Sequence, residues 1–200
     1  MTGAEVSAMG DADILILGIG NLLWADEGFG VRVADELHRR YHLPDRVRVL
    51  DGGTQGLYLV QFVTACRRLI VFDAIDYGLE PGELRLVRGD EVPRFTGIRK
   101  MSLHQTGFQE VLSAADLLGH YPEDMLLVGV QAADLENWGG SLSDPVRARI
   151  DPAIAAAVAQ LAEWGVTVRP RASRLPAQDG LMERSLSIAA YEGHSVPAAD

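Results

Sequence analysis

Two carboxylates and an imidazole, Glu27, Asp73 and His104, carry the donor types of an oxygen, oxygen, nitrogen ligand set. Such a set suits Ni, Zn, Co or Mn rather than a structural zinc site built on thiolates, and it leaves coordination positions open. His104 falls where a helix begins, because Ser102 and Gln105 have the spacing of a capping box. A helix N-terminus disfavours the imidazolium and keeps the ring able to donate its lone pair. On residue type alone, metal or substrate contact competes with plain capping and solvated-loop roles. Other pairings carry less. His38 and His42 are four apart on one helix but flank Arg39-Arg40 near its end, which fits cations on a solvated face. Cys66 is the only cysteine, so an internal disulfide and a thiolate cluster are excluded, and its helical, apolar setting reads as a core thiol. No His-Glu-x-x-His helix and no Gly-x-Ser-x-Gly elbow is present, so a hydrolase here would use a metal or carboxylates.

Glu27 sits in the glycine-rich run Gly18-Ile19-Gly20-Asn21-Leu22-Leu23-Trp24-Ala25-Asp26-Glu27-Gly28-Phe29-Gly30. The run follows a buried-strand pattern, Asp13 to Leu17, and opens like a dinucleotide-binding turn. It then departs from that pattern. Leu23 stands where the third glycine belongs, so close helix-to-strand packing is not provided at that position, and Asp26-Glu27 would repel a pyrophosphate.

The elements that would position these groups alternate. Glu27 to Tyr41 has helical apolar spacing, Val47 to Leu50 is a short strand, and a second helix spans about Gln55 to Arg67. Leu69 to Phe72 is a continuous apolar strand ending at Asp73. Right-handed crossovers then give the local strand order 2-1-3, with Glu27, Asp51 and Asp73 at one carboxyl edge. Glu83 to Val87 alternates as an edge strand does, and the charges of Arg85 to Lys100 solvate that edge. A helix that opens after Ser102 as N-cap and runs through Leu118, a buried strand from Met125 to Val130 and a long helix from Pro145 to Trp164 complete the pattern. The fold expected is α/β, a single three-layer α/β/α domain with a mostly parallel twisted sheet. It spans residues 13–170, after a flexible N-terminus (1–12) and before a poorly ordered or loosely docked tail (171–200).

Two hundred residues with a formal charge of −10 argue against binding nucleic acid through phosphate contacts. No apolar run approaches the roughly 20 residues that span a bilayer, and the N-terminus lacks a signal peptide's order. The expectation is a soluble, cytoplasmic protein with no membrane partner.

Four motifs in register are more specific than any one: Gly18-x-Gly20-Asn21-x-Leu23-x-x-Asp26-Glu27-Gly28-x-Gly30, Asp51-Gly52-Gly53-Thr54, Asp73-Ala74, and Ser102-x-His104-x-x-Gly107. Together they resemble the nickel-iron hydrogenase maturation endopeptidases. The stretch from Gly129-Val130-Gln131 to Leu142 is similar to the uptake-hydrogenase branch. The resemblance implies removal of a C-terminal extension from the hydrogenase large-subunit precursor after nickel insertion, by a monomer that binds its precursor transiently. It implies Glu27, Asp73 and His104 as catalytic and metal-contacting residues, nickel that arrives with the precursor, and substrate recognition by Asp51, Gly52, Gly53 and Thr54. One departure is Ala132, where proline is expected after Gln131; a looser loop is the expected consequence. Two other readings compete: a dinucleotide-binding oxidoreductase with Asp51 on the ribose, and a non-catalytic nickel chaperone that uses the same crevice.

Overall fold

Strand β1 (Ile14–Ile19) is buried along its whole length, as its unbroken apolar run requires of a strand covered on both faces. A 3-10 turn (Ala25–Gly28) leads into α1 (Phe29–Arg40), and β2 (Tyr41–His42) and β3 (Val47–Gly53) follow. The chain continues through a 3-10 turn (Gly56–Leu59), α2 (Val60–Val63), β4 (Arg68–Ile75), β5 (Leu84–Arg88), α3 (Leu103–Leu117), β6 (Asp124–Gln131), α4 (Asp144–Arg147), α5 (Ile150–Glu163) and β7 (Arg169–Pro170). This computed structural model describes residues 13–92, 103–188 and 190, and for residues 103–107 and 184 the backbone alone. The N-terminal segment 1–12, Ser102, His194 and much of the stretch from Arg85 to Lys100 lie outside the described residues.

The main sheet has the order β3-β1-β4-β6-β5, parallel except for β5, which runs antiparallel to β6 at the edge. The local order 2-1-3 and the edge strand are therefore borne out. Alternate side chains along β1 and β4 project to opposite faces of the sheet and feed two cores. Ile14, Ile16, Ile70 and Phe72 pack with Phe29, Val33 and Leu37 of α1 and Ile154 and Leu161 of α5. Leu15, Leu17, Leu69 and Val71 pack with Phe62 and Val63 of α2 and Val111 and Leu112 of α3. The domain has three layers because each strand face has period two and each helix offers one apolar stripe.

Two helical expectations shorten or divide, and a third changes in its surroundings. The helix from Gln55 to Arg67 is a 3-10 turn plus one turn of α-helix, because left-handed Gly56 (φ 52°) opens it and the chain turns at Thr64 to reach β4. Pro145 to Trp164 splits into α4 and α5 at Ala148-Arg149. The end of α1 around Arg39-Arg40, expected to be a solvated face, is partly covered: Arg39 is buried, as are Arg32, Asp35 and Glu36 earlier on the helix. Residues 171–188 do the covering. Backbone N–H groups of Arg171 and Leu175 donate to Arg40 O and Arg39 O at 2.8 and 2.9 Å, and that of Leu181 donates to Asp35 at 2.7 Å. Arg174 pairs with Glu36, and Met182 is buried. That segment was expected to be poorly ordered or loosely docked; the periodicity of its own sequence gave no sign that α1 supplied its partners.

Candidate active site at the carboxyl edge

The loop after β1 folds back on its own strand, and glycines permit it. Gly20 has φ 131°, and a Cβ there would stand 1.8 Å from the carbonyl oxygen of Glu27. A Cβ on Gly30 would stand 2.2 Å from Phe72 O and 2.3 Å from Ile19 O. The close helix-to-strand packing that Leu23 does not provide is thus supplied seven residues later, by Gly30 at the start of α1. The same contact sets the Glu27 turn against β4 at Phe72, one residue before Asp73.

Between those glycines the backbone is held under strain. Ala25 has φ 29°, a conformation costing an L-residue roughly 1–3 kcal/mol, and it is buried. The next residue holds it. Asp26 is fully buried and accepts four hydrogen bonds: Oδ2 from Ala133 N–H (2.9 Å), Asp134 N–H (2.9 Å) and Ser143 Oγ–H (2.8 Å), and Oδ1 from Ser143 N–H (2.7 Å). Asp26 N–H donates back to Asp134 O at 3.1 Å, and Gly139 N–H donates to Leu23 O at 2.8 Å. Trp24 and Trp138 stack edge to face with centroids 5.3 Å apart. The loops after β1 and β6 therefore form one rim across the end of β4.

Asp73 lies within β4, which runs two residues farther than its apolar run suggests, and it pairs in register with Gly129. Asp73 is largely buried, with 7% of its surface exposed. The nearby Tyr77 phenol is pushed up to about 12, first by burial and then by the charge of Asp73, so it keeps its proton and remains a donor. Gln131 holds that turn: its Oε1 accepts from Tyr77 N–H (2.9 Å) and Leu79 N–H (3.2 Å), and its Nε2 donates to Asp76 (3.2 Å). Ala132 N–H donates to Ile75 O at 3.0 Å, a bond that proline cannot make. The replacement expected to loosen this loop adds a bond to it.

At the end of β3 the register slips by one residue, so Gly18 faces Asp51 and Ile19 faces Gly53. Gly20 N–H closes on Gly53 O at 3.0 Å. Burial holds the Asp51 carboxyl above its usual range; a hydrogen bond from Gly53 opposes this and the charge of Asp35 adds to it. Thr54 is exposed beyond the strand.

Glu27, half-buried, Asp51 and Asp73 thus share one edge, and β1 and β4 flank the point where the strand order reverses. His104 begins α3 in the first turn, as the capping pattern predicts, while its side chain and Ser102 lie outside the described residues. Among the described residues no three of His, Cys, Asp and Glu converge as a metal site. Cys66 is buried with its thiol pushed up to about 12 by burial, a core group. The residues that sequence reasoning missed are Asp26, Tyr77 and the holding role of Gln131. An acid beside Glu27 looked like part of the charge, and nothing in its spacing showed the donors 107 to 117 residues away.

An α/β domain with acids at its switch-point crevice and two interlocked loops above it is the class that fold and site define. The hydrogenase maturation protease model HycI matches residues 31–160. The hydrogenase expression/formation protein HupD of Bradyrhizobium diazoefficiens is 63% identical over 182 residues, 91% of this chain and 95% of that protein. The solved hydrogenase maturating endopeptidase HybD of Escherichia coli superposes with a TM-score of 0.75 at 42% identity, over 79% of this chain and 97% of its own. The maturation protease HybD of Thermococcus kodakarensis superposes with 0.61 at 26% identity, over 74% and 97%. The chain belongs to the hydrogenase maturation protease family and is an endopeptidase of that family. Among the described residues no helix is long and apolar enough to cross a membrane.

Proposed function

We propose that this endopeptidase removes the C-terminal extension of a nickel-iron hydrogenase large subunit once nickel is in place, acting as a cytoplasmic monomer. Nickel arrives as part of the substrate, and Glu27, Asp73 and His104 meet it at the crevice. The observation that carries the reading is the pair of carboxylate-bearing segments on the two strands of the switch point, the Glu27 turn held against β4 beside Asp73. Two oxygen donors and an imidazole form a borderline-hard set that fits nickel. They leave positions for thiolates of the precursor.

The chain's own groups then divide the work. Asp51, Gly52, Gly53 and Thr54 hold the polypeptide near the cut. Glu27 or Asp73 takes the proton of the attacking water, and the bound metal supplies polarisation of carbonyl or water. Alignment of the peptide bond by docking contributes through proximity.

Incubation with nickel-loaded precursor, followed by mass spectrometry, should show loss of the C-terminal segment. Precursor prepared without nickel should stay uncut. His104→Ala should abolish processing while circular dichroism is unchanged. An intact C-terminus after incubation with the nickel-loaded form overturns the reading, and full activity of the variant removes His104 from it.

A further inference from the structure

β3 is the outer strand of the main sheet, and no strand pairs with its far side among the described residues. Exposed strand edges are commonly blunted by proline, bulges or a covering element, because their free N–H and C=O groups template another strand. From Val47 to Asp51, β3 has no proline, and its register slip comes only after Asp51. Its backbone orientation follows from one bond. Ile14 N–H donates to Arg46 O at 3.0 Å, so by the alternation of a parallel ladder residues 46, 48 and 50 turn toward β1, and 47, 49 and 51 turn away. Val47 N–H is used within the preceding turn, on Pro44 O at 2.8 Å.

A groove of about 270 Å³ runs beside this edge, lined by Arg48 and Val49 of the strand, Asp45 just before it, and His38, Tyr41 and Arg171. Two arginines against one aspartate leave it with a net positive charge in a chain of charge −10. Arg171 donates to His38 O (3.4 Å) and meets His42 Nδ1 (2.9 Å), and Arg48 lies over the Phe62 ring at 5.9 Å. Neither guanidinium pairs with a carboxylate among the described residues. The strand points along its length to Asp51-Gly52-Gly53 at the catalytic edge.

We propose that an extended, acidic segment of the precursor polypeptide adds to β3 as a sixth strand. It bonds to the outward backbone of Val47, Val49 and Asp51, sets its carboxylates against Arg48 and Arg171, and leads the chain into the crevice. This rests on the endopeptidase reading. It adds what that reading lacks, a surface that aligns a flexible substrate by main-chain bonds whatever its side chains.

Amide exchange followed by NMR tests it, with the His104→Ala protein in complex with nickel-loaded precursor. The Val49 and Asp51 amides should slow at least tenfold on complex formation, while those of Arg48 and Leu50, already bonded to β1, should not change. In the otherwise native enzyme, Arg48→Glu combined with Arg171→Glu should raise KM about tenfold. Single N-methyl groups placed along a synthetic peptide of the extension should weaken its competition at alternate positions only. Unchanged Val49 and Asp51 amides in a complex whose native counterpart is cleaved would overturn the proposal and leave the protease reading standing. Failure of wild-type protein to bind or cut would remove both. Slowing that needs no precursor and grows with protein concentration would assign the edge to a second copy of this chain, and overturn the proposal as well.

Discussion

Asp26 and Asp51 show two opposite ways in which a carboxylate is placed at one edge. Asp26 is fully buried with four donors on it, so its charge is matched; removing the carboxylate strands three N–H groups and one hydroxyl out of water. Each orphaned buried donor costs about 1–3 kcal/mol. Asp26→Ala should therefore lose roughly 3 kcal/mol or more in urea unfolding, and Asp26→Asn somewhat less, since its amide nitrogen meets donors. Relaxation of the strained Ala25 would follow, and with it misplacement of Glu27, so processing should fall in both variants even well below their Tm. Asp51 is the reverse case. Burial raises its pKa in the fold, so its neutral form is favoured there, and stability is highest below the unfolded pKa of about 3.9 and falls as pH rises through the raised value. Asp51→Asn removes that penalty and keeps an acceptor for Gly53. The variant's Tm should exceed the wild type's at pH 7, with the gap closing toward pH 3; a gap that does not change with pH would mean that Asp51 carries no such burden.

At the scale of elements, what locates the site is the contact of α1 with β1 and β4. Gly30→Ala would push a methyl group into Phe72 O and Ile19 O, both backbone atoms that cannot rotate away. Overpacking of this kind costs typically 1–3 kcal/mol, and here it would also lift the Glu27 turn off β4. The Tm should fall and kcat/KM should fall further than the loss of folded protein explains; activity that merely tracks the folded fraction would refute the coupling. The strand order and the edge strand were legible because buried parallel strands read as continuous apolar runs and a half-exposed one alternates. The carboxyl-edge meeting of Glu27, Asp51 and Asp73 followed from that order. Other features were hidden for a common reason. The Asp26 rim, the hold of Gln131 on Tyr77 and the extra bond of Ala132 all depend on partners distant in the chain, and no local period reports them. The short helix after Gly56 was missed because its apolar spacing continues past the point where the backbone turns.

The whole molecule is closed by its tail. Residues 171–188 cover the polar face of α1, where Arg32, Asp35, Glu36 and Arg39 lie buried, and the small β2–β7 ladder leads the chain there. Arg32 Nη1 donates to Leu186 O at 3.1 Å, and its Nε would lie 3.4 Å from a Cβ on Gly28, directly after Glu27. The tail beyond Arg171 therefore braces the helix that follows the Glu27 turn. Truncation after Arg171 removes the buried Met182, the packing of Leu181 and Ile188, and one partner each of Asp35 and Glu36, the Leu181 N–H and Arg174, while Arg39 and Arg40 remain beside those carboxylates. Rehydration of the freed charges offsets part of the loss, and what remains is chiefly apolar burial, about 3 kcal/mol. In a chain of 200 residues this should lower Tm by roughly 6–12 °C in thermal unfolding. Because the crevice residues all lie before position 145, precursor cleavage by the truncated protein at 15 °C should persist within a few-fold of the full chain. An unchanged Tm would show that these contacts contribute nothing to stability. Complete loss of cleavage in a folded truncated protein would instead place the tail in the reaction itself.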